Sequence, residues 1–174
     1  MFIRKTLQIG LLFGAVFTTG YLLAGDDEHG YAGSKSLTPV SHPKWQAECA
    51  SCHMLYHPGL LPERSWRKLM GGLDNHFGEN AGLDKVTQQE ILQFLVTNSA
   101  DHNTSRRSAK IANSIPARAA PMRITETAYF QGKHDEISPT VWKRPKIGSP
   151  SNCIACHSGA EKGNFSEDNV RIPR

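Results

Sequence analysis

Cys49-Ala50-Ser51-Cys52-His53 is answered more than a hundred residues later by Cys153-Ile154-Ala155-Cys156-His157, and these two stretches account for every cysteine in the chain. Each pair of thiols is separated by two residues and followed directly by histidine. That arrangement is the attachment signal of c-type haem. Two thiols three positions apart on a helical turn reach the two vinyl groups of one haem as thioethers. The next residue then lies under the iron, where its imidazole is the proximal ligand. The competing readings are weaker. A tetrahedral zinc held by four thiolates has no use for a histidine after each pair. A thioredoxin-like redox site uses one pair within a βαβ pattern. Two structural disulfides are conceivable in an exported chain, but a bridge between cysteines so close in sequence is a strained small loop, and here it would occur twice. Cys49, Cys52, Cys153 and Cys156 are therefore the expected covalent haem anchors, with His53 and His157 as proximal iron ligands.

The amino terminus agrees with this chemistry. Arg4 and Lys5 open a short basic region, and Thr6 to Ala24 carries no charge and is mostly apolar before Asp26, Asp27 and Glu28 end the run. Residues 1–24 thus read as a secretory signal peptide. Small residues favour cleavage after Gly20 over Ala24. The apolar run of about 18 residues is also just long enough to span a bilayer as an uncleaved anchor. Either way the remainder is exported, and the expected location is the periplasm. The 174 residues, 39% hydrophobic and 21% charged, make one ordinary domain or two small ones, too short for a large two-domain enzyme. Removal of 1–24 takes away Arg4 and Lys5 and no acid, which lowers the net charge from +4 to +2. That balance points to no nucleic-acid partner and leaves docking to local clusters.

A haem held by one histidine has a second axial position, to be filled by His or Met or left open. His29 lies in a Gly- and Asp-rich stretch, His42 and His57 each precede a proline, and His102 sits in a polar loop. His76 and His134 differ. His76 stands between Leu73 and Phe77, and His134 follows Tyr129 and Phe130, so each is placed against a buried ring. The preferred pairing is His53 with His76 and His157 with His134; Met70 and Met122 are the reserve ligands. Spacing alone leaves a crossed pairing open.

The rest of the chain reads as short helices and loops with little or no sheet, a mainly α fold packed around two covalent haems. Residues 25–42 are a polar lead-in expected to be flexible. The dihaem domain occupies 43–174, with a first haem lobe over about 43–100, a linker over about 101–124 and a second lobe over about 125–174. A short helix is expected from Trp45 to His53. Another is expected from Glu63 to Leu73, with Trp66, Leu69, Met70 and Leu73 on one face. Thr87 and Glu90 form a capping box that starts a third, running to about Asn98. Residues 104–124 carry Arg106, Arg107, Lys110, Arg118 and Arg123 and no acid. They read either as a solvated connection or as a basic patch for haem propionates or an acidic partner. Ser151 or Asn152 is expected to cap a helix bearing the second motif.

From Trp45 to the carboxyl end the chain resembles the small exported dihaem cytochromes c usually called DHC. The likeness rests on Glu48 to His53, Leu60-Leu61-Pro62 with Ser65-Trp66, His76-Phe77-Gly78, Arg123 to Glu126, His134, Asn152 to His157, and Gly163-Asn164-Phe165. It implies an electron shuttle with both irons held by two histidines, His76 and His134 being the distal pair. It also implies redox partners such as a membrane cytochrome b and a small monohaem cytochrome, with any membrane contact made through a partner or an uncleaved leader. The alternatives are a haem enzyme, or a gas or redox sensor, with one open or displaceable axial site.

Overall fold

The computed structural model describes residues 36–174. The expected signal peptide, the first part of the lead-in and His29 lie outside the described residues. Six short α-helices run in chain order: α1 (Pro43–Cys49), α2 (Glu63–Met70), α3 (Lys85–Thr97), α4 (Arg106–Asn113), α5 (Ala128–Lys133) and α6 (Pro139–Trp142). Between them lie 3-10 turns, and among the described residues the only β pairing consists of three isolated bridges. The expected mainly helical class with little sheet is what is found.

Helix boundaries follow local chemistry. α1 begins at Pro43, whose missing N–H costs nothing in a first turn, and the His42 Nδ1 accepts from the Trp45 amide at 3.4 Å. It ends at Cys49, short of the predicted His53, so the first motif spans a helix end and the turn beyond it. α2 stops at Met70 before Gly71 and Gly72 rather than at Leu73, which sits instead in a 3-10 turn. α3 starts two residues before Thr87, because the Asp84 carboxylate accepts from both Val86 and Thr87 amides at 3.0 Å and wins over the predicted capping box. The second motif lies in a 3-10 turn, Cys153–Ala155, with no side-chain cap; the Asn152 side chain instead donates from Nδ2 to Ile147 O at 2.9 Å.

Two apolar clusters form the core. The first packs Trp45, Leu61, Trp66, Leu69 and Met70 against Ile91 and Leu95, joining α1, α2 and α3. The predicted face of α2 is therefore the buried one, and the Trp66 indole N–H donates to Pro58 O at 2.8 Å. The second joins Leu37, Leu60, Ala100, Ile111 and Ile115. It revises two expectations. From Ser36 onward the lead-in is not loose: Leu37 is fully buried, and its amide donates to Gly163 O at 2.9 Å. The 104–124 stretch is more than a solvated connection, because Ile111 on the apolar side of α4 and Ile115 just beyond its end are both buried. Burying each stabilises the fold by roughly 1.5–3 kcal/mol. Arg64 of α2 secures the segment after α4 by donating to the carbonyls of Ala119, Pro116 and Ile115. Ser108 of α4 donates to Gly59 O at 3.1 Å. A Cβ at Gly59 would lie 2.5 Å from Ser108 Oγ, so only glycine permits that approach.

Candidate haem sites

The first site is assembled from the end of α1 and the loop after α2. His53 and His76 face one another with ring centroids 6.3 Å apart and planes inclined at 32°. The His53 Nδ1–H donates to Met54 O at 2.7 Å, so its lone pair is on Nε2. His76 is presented by a two-residue turn. Its amide donates to Glu79 O at 2.7 Å and its carbonyl accepts from the Glu79 amide at 3.2 Å. Phe77 and Gly78 in the middle have φ of 58° and 104°. Positive φ at both central residues is the signature of a type I′ turn. For a bulky residue such as Phe77 that conformation is strained, by about 1–2 kcal/mol. The Arg123 guanidinium lies 4.0 Å from the Phe77 ring centroid, and the ring itself meets His76 edge-on at 4.8 Å.

The second site is built by the carboxyl end of α5 and the closing residue of the second motif. His134 and His157 have centroids 6.1 Å apart and nearly perpendicular planes, at 81°. His134 ends α5, donating from Nδ1 to Phe130 O at 2.8 Å and stacking on the Phe130 ring at 4.1 Å. Trp142 lies 5.8 Å from His134, and Phe165 5.5 Å from His157. The His157 Nδ1 is buried with no protein partner. Of the basic segment, Arg123 thus reaches the first site. Arg107 reaches the surroundings of the second, donating to the Tyr129 hydroxyl at 3.0 Å.

The structure therefore brings together the pairs preferred from sequence, uncrossed. The two reserve methionines lie elsewhere: Met70 is in the first core cluster, and Met122 is exposed. The histidines set aside have other duties. His42 caps α1 and reaches Glu90. His102 is bonded to Glu63 at 2.8 Å. His57, buried, donates from Nε2 to Thr38 O at 2.7 Å and accepts at Nδ1 from the Gly59 amide at 2.9 Å. Trp142 was not singled out by sequence; its only signal is an aromatic in the short run between His134 and the second motif.

A model of the dihaem cytochrome c family matches residues 45–165. The chain belongs to that family. Among solved structures, this dihaem cytochrome c is 44% identical to a dihaem cytochrome c from Rhodobacter sphaeroides, covering 75% of this chain and 100% of that one with a TM-score of 0.66. It is 42% identical to the dihaem cytochrome c of Shewanella baltica OS155, covering 75% and 91%, with a TM-score of 0.61. A comparison with curated proteins found no match. The family carries two covalently bound haem c groups, and Cys49/Cys52 and Cys153/Cys156 fit their attachment sites.

The residues of this dihaem cytochrome fit that cofactor. Two metal–imidazole bonds of about 2 Å, with about 1 Å from each nitrogen to its ring centre, set opposed rings about 6 Å apart. Both histidine pairs have that separation. Two of the four rings turn Nδ1–H onto a backbone carbonyl, the outer contact that orients a ligating imidazole. Burial lowers the His76 and His157 pKa, and the facing histidine of each pair lowers it further, which favours the neutral, ligating form. All four cysteines are free rather than bridged.

Proposed function

We propose that this dihaem cytochrome carries single electrons between redox partners in the periplasm, with each iron held by two histidines: His53 with His76, and His157 with His134. Bound haem c supplies one-electron exchange at iron. With His53 and His76 holding one haem, and His157 and His134 the other, neither iron would have a position left for a substrate. Ligation by two histidines also sets a lower potential than a His/Met pair, because Met raises it. Phe77 and Tyr56 pack against the histidines of the first site, and Phe130, Trp142 and Phe165 against those of the second. The observation that carries this reading is the spacing of the two ring pairs, 6.3 and 6.1 Å. The donor and acceptor are proposed to be small redox proteins, a membrane cytochrome b and a monohaem cytochrome among them. Such encounters are small and transient.

The test is the optical spectrum of the reduced holoprotein with and without carbon monoxide. Two closed sites give no change and no Met–iron band in the oxidised state. A shift at either haem would replace the shuttle with a catalytic or gas-sensing role.

A further inference from the structure

Tyr56 follows the first motif by three residues, and its surroundings span both sites. Its ring lies 5.0 Å from the His53 ring, inclined at 45°. Its hydroxyl donates to Ser151 O at 2.8 Å, across 95 positions of sequence. That same carbonyl accepts from the Cys153 amide at 3.0 Å, and the Cys153 thiol stands 3.6 Å away. One half-buried side chain therefore touches a proximal histidine with its apolar face and holds, with its polar end, the peptide beside the other site's first cysteine. Tyrosine suits this because its body packs while its hydroxyl demands a partner.

We infer that Tyr56 is a positioning residue that couples the two haem sites, its ring packed on His53 and its hydroxyl fixing and partly neutralising the Ser151 carbonyl beside Cys153. The inference rests on the bis-histidine reading. Once Cys153 is a thioether its sulfur has no proton to give, and the phenol becomes the side-chain donor to that oxygen. A carbonyl left without it turns more negative toward the second site and favours the oxidised, more positive state there. The second site's potential thus depends on a residue of the first lobe. A tie that only packed the two lobes together would affect stability and leave that potential alone.

The experiment is a redox titration of the holoprotein followed by electron paramagnetic resonance, comparing wild type with Tyr56→Phe and Tyr56→Ala. Ring planes at 32° and 81° give the two sites distinguishable low-spin signals. In Tyr56→Phe, at the potential where the wild-type second site is half reduced, its oxidised-to-reduced ratio rises roughly threefold or more. The first site titrates as before. Tyr56→Ala gives the same second-site shift and adds one at the first site, where the ring packed on His53 is lost. Fluorotyrosine at position 56, the same shape with a stronger donor, moves the second site the opposite way and serves if Tyr56→Phe loses haem. A second site that titrates as wild type in Tyr56→Phe, or that fails to respond to fluorotyrosine, overturns the inference and leaves the ligation reading intact. A wild type without two low-spin signals overturns both.

Discussion

What a histidine does in this chain is decided by what its two ring nitrogens meet. His57 spends both on backbone groups, Thr38 O and the Gly59 amide, while sitting 4% exposed. His57→Ala removes both bonds and opens a cavity. It should cost about 2–4 kcal/mol, read as a lower denaturation midpoint of the holoprotein with an unchanged haem spectrum. Burial holds the His57 pKa below its ordinary value of 6.5, and the Thr38 carbonyl opposes this only in part. The unfolded chain therefore takes up a proton as pH falls through 6.5 while the folded chain resists. Stability from this residue is complete above that pH and is lost below it, and His57→Gln should flatten that acid limb. The doubled Cys-x-x-Cys-His motif was legible because covalent spacing is local. His76 and His134, chosen for their apolar neighbours, are the two histidines that the fold sets opposite His53 and His157. The role of His57 was not legible, because its partner Thr38 lies 19 residues upstream and only the fold brings it near.

At the scale of elements, the strained turn at Phe77-Gly78 governs how the first distal histidine is offered. The left-handed backbone at Phe77 costs about 1–2 kcal/mol, and the Arg123 contact returns about 0.5–1. Phe77→Gly relieves the first and forfeits the second, so stability should change by no more than about 1.5 kcal/mol. What it loses is the ring braced edge-on against His76. Carbon monoxide, which the proposed histidine pair would exclude from wild type, should then enter the first site of the reduced variant; a variant as closed as wild type would show that the ring braces nothing. Sequence found the amphipathic α2 and α3 because periodicity survives in any context, but it placed helix ends less well. Asp84 caps α3 ahead of the Thr87 box, and Gly71-Gly72 ends α2 early. The Phe77 conformation left no sequence signal beyond the glycine after it, since a bulky residue rarely adopts positive φ.

For the whole molecule, distant stretches of the chain are tied into one interior. Leu37 joins Gly163, Arg64 grips the segment after α4, and Tyr56 reaches Ser151. Composition could not show this, because the basic run of 104–124 hides the buried Ile111 and Ile115 among its charges. Ile111→Ala should cost about 2–4 kcal/mol and broaden or lower a single unfolding transition monitored at both haems. A change confined to one haem would mean that the lobes unfold separately. Each bound haem adds apolar surface to a small core and stabilises only the folded chain, so the haem-free protein should lack a cooperative transition. The central claim, two irons each closed by a histidine pair, is tested most directly by the electron paramagnetic resonance spectrum of the fully oxidised holoprotein. Rings at 32° should give an ordinary rhombic low-spin signal, and rings at 81° a second low-spin signal of much larger anisotropy. These should appear in equal amounts with no high-spin iron. A high-spin signal from either haem, or a single class of low-spin iron, would contradict it.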